Sequence, residues 1–275
     1  TFNEDHNLWF CHRITSSILR PKDADSYEVK DITESQSASH ISVQNVPNGI
    51  EVRIVKKEND PKWTYSTIKF KEDEKDLNWY YSYFNNGECV LEKTNNILTF
   101  LYPFTTEDKT YTFTITPFAG CEETVSIVAD YTSPAQFGNL EILENFNVSY
   151  EENDDENGPK RIIKINSDPL SLFDNKDIIK YKQLCVNTYN ANYEWVFNFG
   201  YDDSQYDALH NDGINFMNEN SNLWKTPEEF KNNFNSGEKI IINPHIQFNT
   251  RPYSETSGSF LFTFESKEFS YTKIN

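Results

Sequence analysis

Between Ile97 and Pro117 the chain reads ILTFLYPFTTEDKTYTFTITP, and apolar and polar positions alternate through most of it. Leu98, Phe100 and Tyr102 fall opposite Ile97, Thr99 and Leu101. Tyr111, Phe113 and Ile115 fall opposite Thr110, Thr112, Thr114 and Thr116. A period of two in Thr, Phe, Tyr and Ile predicts two β-strands, because β-branched and aromatic side chains suit a pleated, half-buried surface. Pro103 to Asp108 supplies the turn residues for a corner between them.

The same pattern recurs upstream. Ile41 and Val43, the turn Pro47-Asn48-Gly49, and Ile50, Val52 and Ile54 predict strand, turn, strand. Lys56 to Lys62 reads as a polar loop containing Asp60-Pro61. A third strand runs from Trp63 to near Phe70, and KEDEKD forms an acidic loop after it. A fourth strand covers Trp79 to Phe84, closed by the hairpin signal Asn85-Asn86-Gly87. A last strand is predicted over Thr124 to Tyr131. Ser133-Pro134 and Phe137-Gly138 mark a domain boundary. Beyond it, the acidic loop ENDDENG precedes a strand at Ile162, Ile163 and Ile165. Further strands are predicted at Ile178 to Val186, Tyr193 to Tyr201, Ile240 to Phe248, Ser259 to Glu265 and Phe269 to Ile274. Thr226, Pro227 and Glu229 begin one short helix, with Phe230 and Phe234 on one face and Gly237 as its stop.

The expected fold class is therefore all-β, as two β-sandwich domains. Residues 1–35 form a segment whose apolar patch Leu8, Trp9, Phe10, Cys11 packs on the first domain. Residues 36–133 form the first sandwich, and 136–275 a second with one short helix. A length of 275 residues is enough for both to bury a core.

Charge narrows the partners. Lys and Arg total 25 against 43 Asp and Glu, a formal net charge of -18 that repels a phosphate backbone. Nucleic acid and anionic membranes are thus poor partners, and no apolar run reaches the roughly 20 residues of a membrane helix. The opening TFNEDHNLWF has neither the basic nor the apolar region of a signal peptide, so any export signal has been removed or was never there. Cys11, Cys89, Cys121 and Cys185 include no CxxC pair. Two readings stay open: Cys89 and Cys121 joined across a sandwich, or a pair of buried free thiols.

From about Ser39 to Thr132 the order of parts resembles a fibronectin type III-like domain. The likeness rests on the early PNG turn, the short evenly spaced strands, and FTTEDKTYTFTI from Phe104 to Ile115. The resemblance implies that Tyr111 turns its hydroxyl back to an upstream backbone group, as in a tyrosine corner. The family's early core tryptophan has no counterpart in Ile50 to Val55, a departure from the pattern that leaves two readings open: Trp63 takes that place, or the place is without a tryptophan. Residues 136–275 are similar to a carbohydrate-binding module in size, aromatic content and acidity.

Catalytic motifs are missing from the sequence: it has no GxSxG elbow, no HExxH and no glycine-rich phosphate loop. His6, His12, His40, His210 and His245 are scattered, and each reads as a surface or satisfied histidine. No cofactor is expected; Asp202, Asp203 and Asp207, or Asp154, Asp155 and Glu156, offer hard oxygen ligands of the kind a structural calcium takes, and each group reads first as a solvated loop. Aromatic rings carry the sharper signal, since a flat ring stacks on the apolar face of a sugar while amides and hydroxyls bond its rim. Trp224, Tyr206 and Tyr253, with Arg251 near in sequence, sit in polar loops. Trp79 and Tyr81 share one face of a strand whose other face carries Tyr80, Ser82 and Phe84. The expected function is non-catalytic glycan binding by a secreted or cell-surface protein through these rings. Its rivals are a surface adhesin or structural protein-binding module, and a glycoside hydrolase with two facing carboxylates.

Overall fold

The computed structural model describes residues 35–85, 88–93, 95–135, 145–192, 195–201, 214–215, 237–250 and 258–272. The chain is all-β, built from antiparallel sheets. In chain order the strands of the first half are β1 (Ser35–Ser37), β2 (Ile41–Val46), β3 (Gly49–Val55), β4 (Thr67–Glu72), β5 (Lys75–Ser82), β6 (Phe84–Asn85) and β7 (Glu88–Cys89). A single helical turn, Val90–Lys93, leads to β8 (Ile97–Tyr102), β9 (Thr110–Phe118) and β10 (Cys121–Val128). The second half adds β11 (Val148–Asp155), β12 (Gly158–Ile165), the 3-10 turn Pro169–Phe173, β13 (Tyr181–Tyr189), β14 (Trp195–Tyr201), β15 (Ile214–Asn215), β16 (Lys239–Asn249), β17 (Ser259–Thr263) and β18 (Lys267–Ser270).

One layer of the first half is the sheet β1-β2-β3-β8, and the layer facing it is β10-β9-β4-β5. The alternation read from the sequence decides which side chains meet between them. Phe100 and Tyr102 of β8 touch Tyr81, Phe70, Tyr111 and Phe113 of the opposite layer, with Tyr81 and Phe100 stacked at 3.8 Å and 2°. Each ring of this size, fully removed from water, contributes about 1.5 to 3 kcal/mol. The Tyr111 hydroxyl accepts the Thr106 N–H at 2.9 Å and donates to Glu72 Oε2 at 2.8 Å, so it does turn back to an upstream backbone group. Asn48 at φ 74 and Gly49 at φ 153 make the first turn, and a Cβ on Gly49 would stand 2.1 Å from the Tyr102 carbonyl oxygen.

The expected domain boundary does not interrupt the sheet. Strand β5 pairs with β17 from the far end of the chain, Ser82 opposite Ser259 and Trp79 opposite Phe262, and the sheet continues through β16, β13 and β14. β18 pairs with the other end of β16. Trp79, Phe104, Phe173, Phe248 and Phe260 form one run of ring contacts across the expected boundary. Beside this sheet, β11, β12 and β15 form a three-stranded ribbon.

Several boundaries differ from the pattern, each for a local reason. The third strand begins at Thr67 because the N–H groups of Thr64 and Tyr65 point to the Pro117 carbonyl instead of a ladder partner. The two acidic stretches are hairpin arms. KEDEKD turns at Asp73 (φ 51) between β4 and β5, and the acids of ENDD lie on β11, where Asp154 accepts a 2.7 Å bond from the buried Arg161 guanidinium. Ile178 and Ile179 donate to the Asn175 carbonyl in a turn, which delays β13 to Tyr181. β10 starts three residues earlier than expected, at Cys121. The helix expected from Thr226, as far as 236, and the patch at 8–11 lie outside the described residues.

Candidate functional site

A cluster of chemically capable side chains gathers at one end of the first sandwich. Its floor is the start of β10, where Cys121, Glu123, Val125 and Ile127 all point to the inner face. Opposite them Pro117, which has no N–H to give a ladder, sits in a bulge of β9: Cys121 pairs with Phe118 but Glu123 pairs with Ile115. His40 enters from the other sheet, immediately before β2, and is 6% exposed. Asp60 arrives on the loop between β3 and β4.

His40 joins these pieces. Its backbone N–H donates to Glu123 Oε2 at 2.7 Å, and its Nδ1 lies 2.7 Å from Glu123 Oε1. Its Nε2 lies 2.9 Å from Asp60 Oδ1. The other Asp60 oxygen accepts the Lys57 N–H at 2.7 Å and the Trp63 indole N–H at 3.1 Å. Cys121 Sγ completes the group, 3.8 Å from His40 Nδ1 and 3.9 Å from Glu123 Oε1. The Trp63 and Phe118 rings stand edge-on to the imidazole at 5.9 and 5.8 Å.

Burial alone would push the His40 pKa down, but hydrogen bonds to Asp60 and Glu123 and their charges outweigh it and hold it above the usual histidine value. Asp60 is likewise pulled up by burial, yet its bonds to His40, the Lys57 N–H and Trp63 hold it below the usual carboxylate range. Burial and the Glu123 and Asp60 charges push the Cys121 thiol up. The cluster thus has an imidazole clamped between two carboxylates, with a thiol beside it. Nitrogen, oxygen and sulfur donors converge on one point. The sequence carried one signal for it: extending the alternation of Val125 and Ile127 back by two and then four residues places Glu123 and Cys121 where core residues belong.

A second feature is the outer face of the long sheet. Strand pairing sets Thr124, Thr114, Lys69, Tyr80, Leu261, Gln247 and Gln183 in one row across seven strands. Flanking it, Thr112 and Ser126 share a hydrogen bond at 2.8 Å, and Gln247 donates to Ser259 at 2.7 Å. Next to the row, His245 of β16 stands opposite Cys185 of β13. Burial lowers the His245 pKa to about 4 and raises the Cys185 thiol to about 12.

The chain matches no protein-family model and no curated protein.

Of the expected ligand-binding residues, Trp79 and Tyr81 are in the core, at 7% and 3% exposure. Trp79 stacks on Phe104 at 4.7 Å, and Tyr81 lies between Phe100 and Phe260. Their face of β5 is covered by β8 and by rings of the second half, so neither is an exposed platform. Tyr80 lies on the opposite face of the strand and is half-buried. Trp224, Tyr206, Tyr253 and Arg251, and the acidic trio Asp202, Asp203 and Asp207, lie outside the described residues. Cys89, Cys121 and Cys185 are free thiols, which removes the Cys89 to Cys121 disulfide.

Proposed function

We propose that this protein is a non-catalytic binding module of the extracellular space or cell surface, and that its ligand is a neutral polysaccharide. The observation that supports the reading is the cross-sheet row from Thr124 to Gln183. Six strand spacings of about 4.8 Å make it roughly 29 Å wide. The row is rich in hydroxyls and amides, with the half-buried Tyr80 near its middle and Lys69 as its one charge. Such a surface exchanges water for sugar hydroxyls at little electrostatic cost, and the tyrosine ring offers an apolar face for stacking. The burial of Trp79 and Tyr81 moves the reading from those rings to the opposite face of the same strand.

A glycan array that includes soluble plant and microbial polysaccharides tests this directly. A selective hit is expected, reduced at least tenfold in Tyr80→Ala and in Gln247→Ala with the thermal midpoint within a few degrees of the parent. A hit that survives both substitutions puts the site elsewhere.

A second reading is favoured by the strand order of the first half. The arrangement β1-β2-β3-β8 over β10-β9-β4-β5, with its tyrosine corner at Tyr111, agrees with the fibronectin type III-like resemblance. Domains of that kind serve as spacers and protein-contact modules. A blank array from folded protein selects this reading.

A further inference from the structure

The geometry points to a divalent zinc-type cation held by His40 Nδ1, Cys121 Sγ and Glu123 Oε1, with Asp60 behind the imidazole. This goes beyond the binding reading, and none of the three ligands belongs to the cross-sheet row. The three atoms stand 2.7, 3.8 and 3.9 Å apart. A point equidistant from all three lies about 2.1 Å from each, close to the 2.0 to 2.3 Å that zinc keeps to imidazole nitrogen, carboxylate oxygen and thiolate sulfur. That point lies in the plane of the three donors, so a tetrahedral site requires the sulfur to retreat, the hydrogen-bonded His40–Glu123 pair to open and the ion to sit above the plane. Mixed nitrogen, sulfur and oxygen donors suit zinc and its neighbours, whereas calcium and magnesium ask for oxygen alone.

The surroundings have the form of a second shell. A metal-bound histidine commonly gives its other ring N–H to a carboxylate, which fixes the tautomer and aims the ring. Asp60 is in that place, 2.9 Å from Nε2, and is itself fixed by the Lys57 N–H and the Trp63 indole. Glu123 is oriented in the same way by the His40 backbone N–H. Binding replaces two protons, one on Cys121 Sγ and one on His40 Nδ1, and both pass to solvent. The ion's charge then meets a thiolate and a carboxylate, and the fourth position of the tetrahedron takes water. The site would tie the start of β2 to the start of β10 and close that end of the sandwich.

The test uses the full chain, stripped with a chelator and dialysed. Titration with zinc alone, followed by calorimetry, is expected to give one equivalent per chain and a raised thermal midpoint. Cobalt(II) in place of zinc is expected to show a thiolate-to-metal charge-transfer band. Cys121→Ser removes that band and weakens zinc at least tenfold, while its metal-free midpoint stays near the parent's. Asp60→Asn keeps the band and weakens zinc 10- to 100-fold, the usual effect of losing a second-shell carboxylate. Folded protein that takes up no zinc, a cobalt complex without the thiolate band, or a band that persists in Cys121→Ser each overturns the assignment. Should Cys121→Ser fail to fold, the cobalt spectrum of the unaltered chain decides alone.

Discussion

At the scale of single residues, Tyr111 shows how far a local pattern reaches. The corner bond to Thr106 was legible in FTTEDKTY because donor and acceptor are five residues apart. The second bond, to Glu72, was not, since it joins strands 39 residues apart in the chain. Tyr111→Phe removes both and should cost about 1 to 3 kcal/mol, read from urea unfolding. An unchanged midpoint would show that the corner contributes nothing. His245 makes a different prediction. Its folded-state pKa of about 4 is below the ordinary histidine value, so the unfolded chain binds the extra proton first as pH falls. Its contribution is intact above pH 6.5 and is lost between there and about 4, on the order of 3 kcal/mol. His245→Gln should flatten that part of a stability-against-pH curve, and equal slopes in parent and variant would refute the assignment.

At the scale of elements, strands with one buried face were readable and strands with wet or charged faces were not. β2, β3, β8 and β9 alternate cleanly because one side meets the core. KEDEKD and ENDD look like loops by composition, yet their backbones pair as hairpin ribbons whose side chains need no core. The start of β10 was missed for the opposite reason: Cys121 and Glu123 face inward, and a core-facing glutamate breaks the expected alternation. Only the fold supplies its partner, 83 residues away. Between these sheets Asn45 forms a polar link, its amide donating to the Val128 carbonyl at 2.8 Å and accepting the Asp130 N–H at 3.4 Å. Asn45→Ala leaves both buried-edge backbone groups without that partner. It should cost about 1 to 3 kcal/mol and speed amide exchange in β10 more than in β4. Uniform exchange across the two strands would mean that the link is not local.

At the scale of the whole molecule, the two-part division followed from a real sequence feature, the Pro- and Gly-containing segment at 133–138. What no local pattern carries is which strand completes an edge. The open edge of β5 is taken by β17, roughly 180 residues later, because Phe260 and Phe262 bring the rings that cover Trp79 and Tyr81. Gly258 sits at this seam. A Cβ there would stand 2.5 Å from the Ser82 carbonyl oxygen and 2.7 Å from the Tyr81 ring. The close approach requires glycine, and backbone on one side of the contact leaves little room to yield. A sheet and core shared by both halves should unfold together, so calorimetry is expected to give one transition whose van't Hoff and calorimetric enthalpies agree. Gly258→Ala should lower that midpoint by several degrees and broaden it or divide it in two, as the seam opens before either half melts. Two well-separated transitions in the unaltered chain would show instead that the β5–β17 pairing is too weak to couple the halves. Each half would then be a cooperative unit of its own, as the 133–138 segment taken alone suggests.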